Sequence, residues 1–154
     1  MRALQSFRFA FDRNHPNDVL PFNPATGEFN PIAPKLAMAV DGNELVTHSE
    51  FSNCYESGPD TVQSGMVAAV YDQLLAYAVM ASWQTGPTLW LKVSYRKPTP
   101  INRRLRFECA VASIDGKKVS VTGSCHQGDE KLSEAEALLL AAYPLEVTGG
   151  GGRA

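Results

Sequence analysis

Two groups of residues in this chain could do chemistry. Asp72 sits between Val70-Tyr71 and Leu74-Leu75, inside the most apolar stretch of the sequence. An ionised carboxylate among apolar neighbours is costly unless it is paired or hydrogen-bonded. Desolvation of a carboxylate favours its protonated form and suits it to general-base work. The same residue could instead pair with an arginine or face water at a groove. Gln63-Ser64-Gly65 forms the second group, where a loop becomes a helix. A helix start presents free backbone N–H groups and a partial positive charge. Gly65 has no side chain and lets another molecule approach, so the turn could hold a carbonyl that becomes an oxyanion. Plain capping, with Ser64 or Thr61 as N-cap, would use the same residues.

The elements that must position these groups are legible in the pattern of the chain. Residues 1–34 are rich in turn formers, among them Pro16, Pro21, Pro24, Gly27, Pro31 and Pro34, and read as an irregular arm with one short strand at Phe7–Phe11. Lys35–Val40 and Glu44–Phe51 flank Asp41-Gly42-Asn43, a hairpin signal. Asn53–Thr61 contains Gly58-Pro59-Asp60 and reads as a loop. A long apolar helix is expected from about Ser64 to Trp83, stopped by Thr85-Gly86-Pro87. Its length is at the short end for a membrane span, and Asp72 at its centre would cost roughly 2.5–3.5 kcal/mol there, so it reads as a core helix. Tyr71, Tyr77, Met80 and Trp83 are expected in the core or in the wall of a ligand pocket.

After the helix the hydrophobic period changes to two. Thr88–Arg96 carries Leu89, Leu91, Val93 and Tyr95 on one face. Arg104–Ile114 and Lys118–His126 are joined by Asp115-Gly116, and Gln127-Gly128-Asp129-Glu130 turns the chain again. Lys131–Tyr143 carries a capping-box pattern at Ser133 and Glu136, yet it closes a run of strands at hairpin spacing and is assigned as a strand. These expectations divide the chain into an arm (1–34), one α+β domain (35–146) and a flexible Gly-rich tail (147–154). One apolar helix needs a curved sheet of about five to six antiparallel strands around it. Its remaining side would be covered by self-association.

The bulk properties narrow the function. A composition 44% hydrophobic and 19% charged is that of a globular domain, and a net charge of −2 argues against a nucleic-acid partner. Cys54, Cys109 and Cys125 are odd in number and widely spaced, which fits reduced thiols, and with no targeting signal evident a cytoplasmic location is expected. His15, His48 and His126 show no metal-ligand spacing. Arg96, Lys97, Arg103 and Arg104 fall within nine positions and could attract phosphates, or simply be solvated.

The stretch from Tyr55 through Gln63-Ser64-Gly65 to Asp72 resembles the signature of hotdog-fold acyl-CoA thioesterases. It is most similar to the branch of phenylacetate-pathway thioesterases and thioesterase-superfamily-member proteins. That branch has a Gly-Pro-rich loop, Val-His-Gly-Gly, an apolar helix, and an Asp nine residues after the His. Thr88–Pro98 is similar to the same branch's strand ending in Tyr-Arg-x-Pro, and the resemblance covers roughly Asn30 to Tyr143. It implies a hotdog fold, a curved sheet wrapped around one central helix. It also implies hydrolysis of an acyl-CoA with no cofactor beyond the coenzyme A of the substrate, in a homodimer or dimer of dimers.

Asp72 matches the branch's catalytic carboxylate, which acts on the thioester or activates water. Ser64 stands at the first glycine of the motif, whose N–H in the branch polarises the thioester carbonyl, and Gly65 matches the second. Thr88 falls where some relatives carry a Ser that orients water. In such enzymes the helix start of one subunit and the Asp of the other form one site. Gln63 stands in place of the His; it cannot transfer protons but can donate a hydrogen bond. A non-catalytic hotdog protein that binds an acyl-CoA or a partner is therefore the alternative. A hydratase of the same fold would need a His that this helix lacks.

Overall fold

The computed structural model describes residues 9–143 and 145–149. In chain order the elements are β1 (Phe9–Asp12), β2 (Lys35–Asp41), β3 (Glu44–Glu50), β4 (Glu56–Gly58), β5 (Thr61–Val62), α1 (Ser64–Ala81), β6 (Thr88–Tyr95), β7 (Leu105–Asp115), β8 (Lys118–Gln127), β9 (Glu130–Leu140) and β10 (Leu145–Thr148). A six-stranded sheet runs in the order β2-β3-β7-β8-β9-β6, and every pair in it is antiparallel. This is the expected sheet of about six strands on one long helix.

Alternation along the strands decides which side of the sheet meets α1. Leu45, Phe107, Cys109, Val119, Val121, Cys125, Ala135, Ala137 and Leu139 are buried, and they meet Val67, Val70, Tyr71, Leu74 and Leu75 of the helix. The Tyr71 ring lies edge-on to Phe107 at 5.3 Å. Its hydroxyl shares a 2.9 Å hydrogen bond with the Ser133 hydroxyl, which leaves neither buried oxygen unpaired. The hairpins fall at the expected turns, with Gly42 and Gly116 at positive φ. β9 is a strand despite the helix-favouring residues of 131–143, because β8 and β6 pair with it from both sides and its inner residues alternate.

Four expectations need correction. α1 ends at Ala81, and the chain leaves through Trp83 at φ 69°, with its side chain half exposed and not in the core. β6 is an edge strand with a register irregularity near Thr88 and Trp90. Leu91 and Val93 therefore pack inward while Leu89 and Tyr95 stay exposed. The loop over 53–61 contains a short 3-10 turn and the small hairpin of β4 and β5. Residues 147–148, expected in the tail, belong to β10; the tail from 150 onward lies outside the described residues.

The arm is bound closely to the domain. β1 pairs in parallel with β10, and Phe11 is fully buried in the core; residues 7 and 8 of the expected strand lie outside the described residues. The Arg13 guanidinium donates to the Ala81 carbonyl at the end of α1, where a cation is favoured by the helix dipole. Thr26 and Tyr77 share a buried 3.0 Å hydrogen bond between their hydroxyls.

Burial pushes the Cys125 thiol up from 9.0 to about 12, a shift partly offset by its hydrogen bond with Ser133. Burial also raises Cys109 and Tyr71. An unfolded chain loses these protons first, so the stability they contribute is complete below about pH 9 and falls as pH rises toward 12. The urea midpoint should therefore drop between about pH 8 and pH 10. A flat midpoint over that interval would contradict the burial of these groups.

Candidate active site

α1 begins at Ser64, and its N-cap is Gln63, not Ser64 or Thr61. The Gln63 side-chain carbonyl accepts the Met66 N–H at 2.7 Å, and its backbone carbonyl accepts from Met66 and Val67. The Ser64 and Gly65 N–H groups have no acceptor among the described residues. A Cβ at Gly65 would lie 2.9 Å from Gln63 Oε1 and 3.1 Å from its Nε2. The missing side chain therefore lets the Gln63 carboxamide fold over the helix start. Gln63→Ala should cost about 1 kcal/mol, the usual value of a lost N-cap, read as a lower urea midpoint at constant slope.

Ser64 is held from the sheet. Its carbonyl accepts the Tyr95 hydroxyl at 2.6 Å, so the end of β6 meets the start of α1. Burial raises the pKa of that hydroxyl. Ser64, Tyr95, Arg96, Lys97, Thr61 and Thr99 line one groove of about 310 Å³. Arg96 and Lys97 are ion-paired there with Glu134 and Glu130. The Arg96 guanidinium in turn holds the Glu134 carboxyl below the usual range. Tyr95 carried no functional signal of its own in the sequence; only its place before Arg96 and Pro98 marked it.

The other candidates lie elsewhere. The Arg103 guanidinium donates to the Asn102 carbonyl, and Arg104 lines different hollows, with His48. Thr88 opens β6 at the end remote from Tyr95, about 23 Å away at the rise of an extended strand.

Asp72 is exposed, against the expectation of burial. The sheet covers one side of α1, and the uncovered strip carries Gly65, Ala69 and Asp72, with Ala68, Gln73 and Ala76 half-buried beside them. These positions recur at helical spacing, so Asp72 and Gly65 share a face two turns apart. Asp72 has no hydrogen-bond or ionic partner among the described residues. The arm reaches its neighbour instead: Asn23 Nδ2 donates to Gln73 Oε1 at 2.8 Å. Nothing in the sequence signals that contact.

Along the helix axis Gly65 and Asp72 stand about 10 Å apart. A donor to an oxyanion and the base that delivers water to the same carbon must both lie within about 3 Å of the reacting group. The start of one helix and its own Asp72 cannot do this together, but the start of one helix and the Asp72 of a second can.

No family model matches the chain, and no curated protein matches it. Solved structures do. A thioesterase superfamily protein is 24% identical, with a TM-score of 0.75 over 78% of this chain, which spans 60% of that protein's length. The phenylacetic acid degradation-related protein of Ralstonia eutropha JMP134 is 23% identical, with a TM-score of 0.61 over 70% of this chain and 83% of its own. A hypothetical thioesterase protein of Streptococcus pneumoniae, solved with coenzyme A, is 12% identical, with a TM-score of 0.69 over 73% of this chain and 89% of its own. What they share with this chain is the hotdog fold: one central helix on a six-stranded antiparallel sheet.

Proposed function

We propose that this hotdog-fold chain is an acyl-CoA thioesterase, hydrolysing the thioester to a free acid and coenzyme A at a site shared between two copies. The observation that carries it is the pairing, on one uncovered helix face, of Asp72 with the N–H groups of Ser64 and Gly65, all without partners among the described residues. Two helices packed antiparallel about a two-fold axis near Ala68 and Ala69 would set each Gly65 against the other copy's Asp72. The small side chains there permit close approach, and an isologous contact makes two such sites at once. The edge strand β6, with exposed Leu89, Trp90 and Tyr95, offers the same dimer a sheet edge to pair. A dimer of dimers would repeat the unit.

In this site the thioester carbonyl accepts from the Ser64 and Gly65 N–H groups, which face the charge that develops on its oxygen. Asp72 takes a proton from water as the water oxygen attacks the carbonyl carbon. The C–S bond then breaks, and the thiolate leaves and gains a proton. Alternatively the Asp72 carboxylate attacks first, expels the thiolate, and water cleaves the resulting anhydride. The Thr88 hydroxyl is the candidate for orienting water. Arg96 and Lys97 at the rim, with Arg103 and Arg104 on the following loop, supply positive charge for the phosphates of coenzyme A. Coenzyme A in the solved streptococcal protein supports this ligand class.

The Gln63 carboxamide favours a second function, binding without hydrolysis. It lies against Gly65 and has no acid–base capacity. A panel of aliphatic and aromatic acyl-CoA thioesters, followed by release of free thiol, separates the two. Turnover of any member above the buffer rate is the expected result. Saturable binding across the panel with no thiol released would replace the enzyme by a binding protein.

A further inference from the structure

The peptide that joins Ser64 to Gly65 is held through its oxygen. That oxygen, the Ser64 carbonyl, accepts the Tyr95 hydroxyl at 2.6 Å. The N–H of the same peptide belongs to Gly65 and has no acceptor among the described residues. The two groups of a trans peptide point in opposite directions within one plane, so a donor on the oxygen fixes where the N–H points. A carbonyl oxygen has two lone pairs and can take this bond together with one from its own helix. Donation to the oxygen also draws charge through the amide, and such coupling strengthens the next hydrogen bond in a chain by roughly 10–30%.

Main-chain bonds from outside the helix fix the chain only as far as Gln63. The Val62 N–H donates to the Thr99 carbonyl at 2.8 Å, and the Gln63 N–H to the Tyr55 carbonyl at 2.7 Å. The next peptide leads into a glycine, whose backbone has the widest choice of conformation, so it is the joint of this helix start that most needs an outside hold. Tyr95 is firmly placed to give it. It ends β6 opposite Ser133, and the Arg96 and Lys97 N–H groups that follow both donate to the Leu132 carbonyl, at 2.9 and 3.0 Å. Burial raises the pKa of its hydroxyl, which stays a donor at neutral pH. Its ring also lines the groove at the helix start, with Ser64.

We infer that Tyr95 is a positioning residue, which holds the Ser64–Gly65 peptide so that the Gly65 N–H meets the carbonyl oxygen of a bound thioester. The inference rests on the thioesterase reading of this helix start, and it adds a residue of β6 that acts through the peptide. Tyr95→Phe keeps the ring and removes the hydroxyl. Its kcat for acyl-CoA hydrolysis should fall about tenfold, the size of one lost hydrogen bond, with KM within about twofold of the parent. That is less than the roughly 10²–10³-fold loss expected for an oxyanion donor itself. Tyr95→Leu should lose the same factor, because the ring alone does not hold the peptide. A ketone analogue of an acyl-CoA, with a methylene group in place of the sulfur and an isotopic label at the carbonyl carbon, reads the polarisation without turnover. Its carbon NMR signal should move downfield on binding to the parent, and by less in Tyr95→Phe. In a parent that binds the ketone but turns over no acyl-CoA, the hydrolase reading would fail, and the smaller shift in Tyr95→Phe would still support the hold on the peptide. A parent-like carbonyl shift in Tyr95→Phe, or a kcat that Phe keeps and Leu loses, would overturn the positioning role and leave the hydrolase reading standing. A ketone that does not bind the parent, or binds with an unmoved carbonyl signal, would overturn both.

Discussion

Asp72→Asn should abolish measurable acyl-CoA hydrolysis, a fall of about 10²–10⁴-fold in kcat if Asp72 acts as general base. The substitution keeps the size of the side chain and removes its basicity. Asp72 is exposed and has no partner among the described residues, so the fold has nothing to lose. The urea midpoint should stay within about 0.5 kcal/mol of the parent, as for an exposed position outside any network. KM should change little, because the substrate carbonyl is held by the Ser64 and Gly65 N–H groups and not by the carboxylate. A variant that keeps its parent's kcat would remove Asp72 from the chemistry, and with it the hydrolase assignment.

Gly86→Ala should be the most destabilising conservative substitution in the connection between α1 and β6. A Cβ at Gly86 would stand 1.6 Å from the Leu140 carbonyl oxygen and 3.0 Å from the Ala142 nitrogen, both of them backbone atoms. The crossing strands are tied there by the Ala142 and Tyr143 N–H groups on the Thr85 carbonyl and by the Leu140 N–H on the Pro87 carbonyl. An added methyl group must push main chain apart and break part of this set. The cost should be about 3 kcal/mol or more, at the upper end for overpacking. At roughly 2–4 °C per kcal/mol for a domain of this size, Tm should fall by about 6–12 °C. A loss under about 1 kcal/mol would mean that the crossing is looser than described.

The hairpins, the helix and the order of the last four strands of the sheet were readable because each has a local cause. Asp41-Gly42-Asn43 and Asp115-Gly116 supply the turn conformations, and the long apolar run marks the helix, although it ends at Ala81 through Trp83 and before Gly86-Pro87. The assignment of β9 depended on its company and not on its composition. Side-chain exposure on α1 was not readable in the same way. Apolar neighbours in sequence suggested that Asp72 is buried, but Val70, Tyr71, Leu74 and Leu75 turn toward the sheet and Asp72 turns away. A nearly all-apolar helix hides its own uncovered side, because small alanines there read as core. The Gln63 cap was also missed, since its side chain reaches Met66 only because Gly65 leaves room. Arg96 and Arg104, neighbours in the sequence, separate because the β6–β7 connection carries them to different hollows. The arm's contacts join segments far apart in sequence, such as Asn23 and Gln73, and no local pattern encodes them.

The parallel pairing of β1 with β10 has a kinetic consequence. Loop closure across the whole domain is entropically expensive and slow compared with hairpin formation. The sheet can therefore assemble on α1 while the core slot for Phe11 is still empty. A chain emerging from the ribosome cannot complete the pairing that anchors Phe11's strand until β10 has been made. The expected last event of folding is then the capture of its earliest described strand, and until that pairing forms the nascent domain would expose an apolar socket to whatever else is nearby.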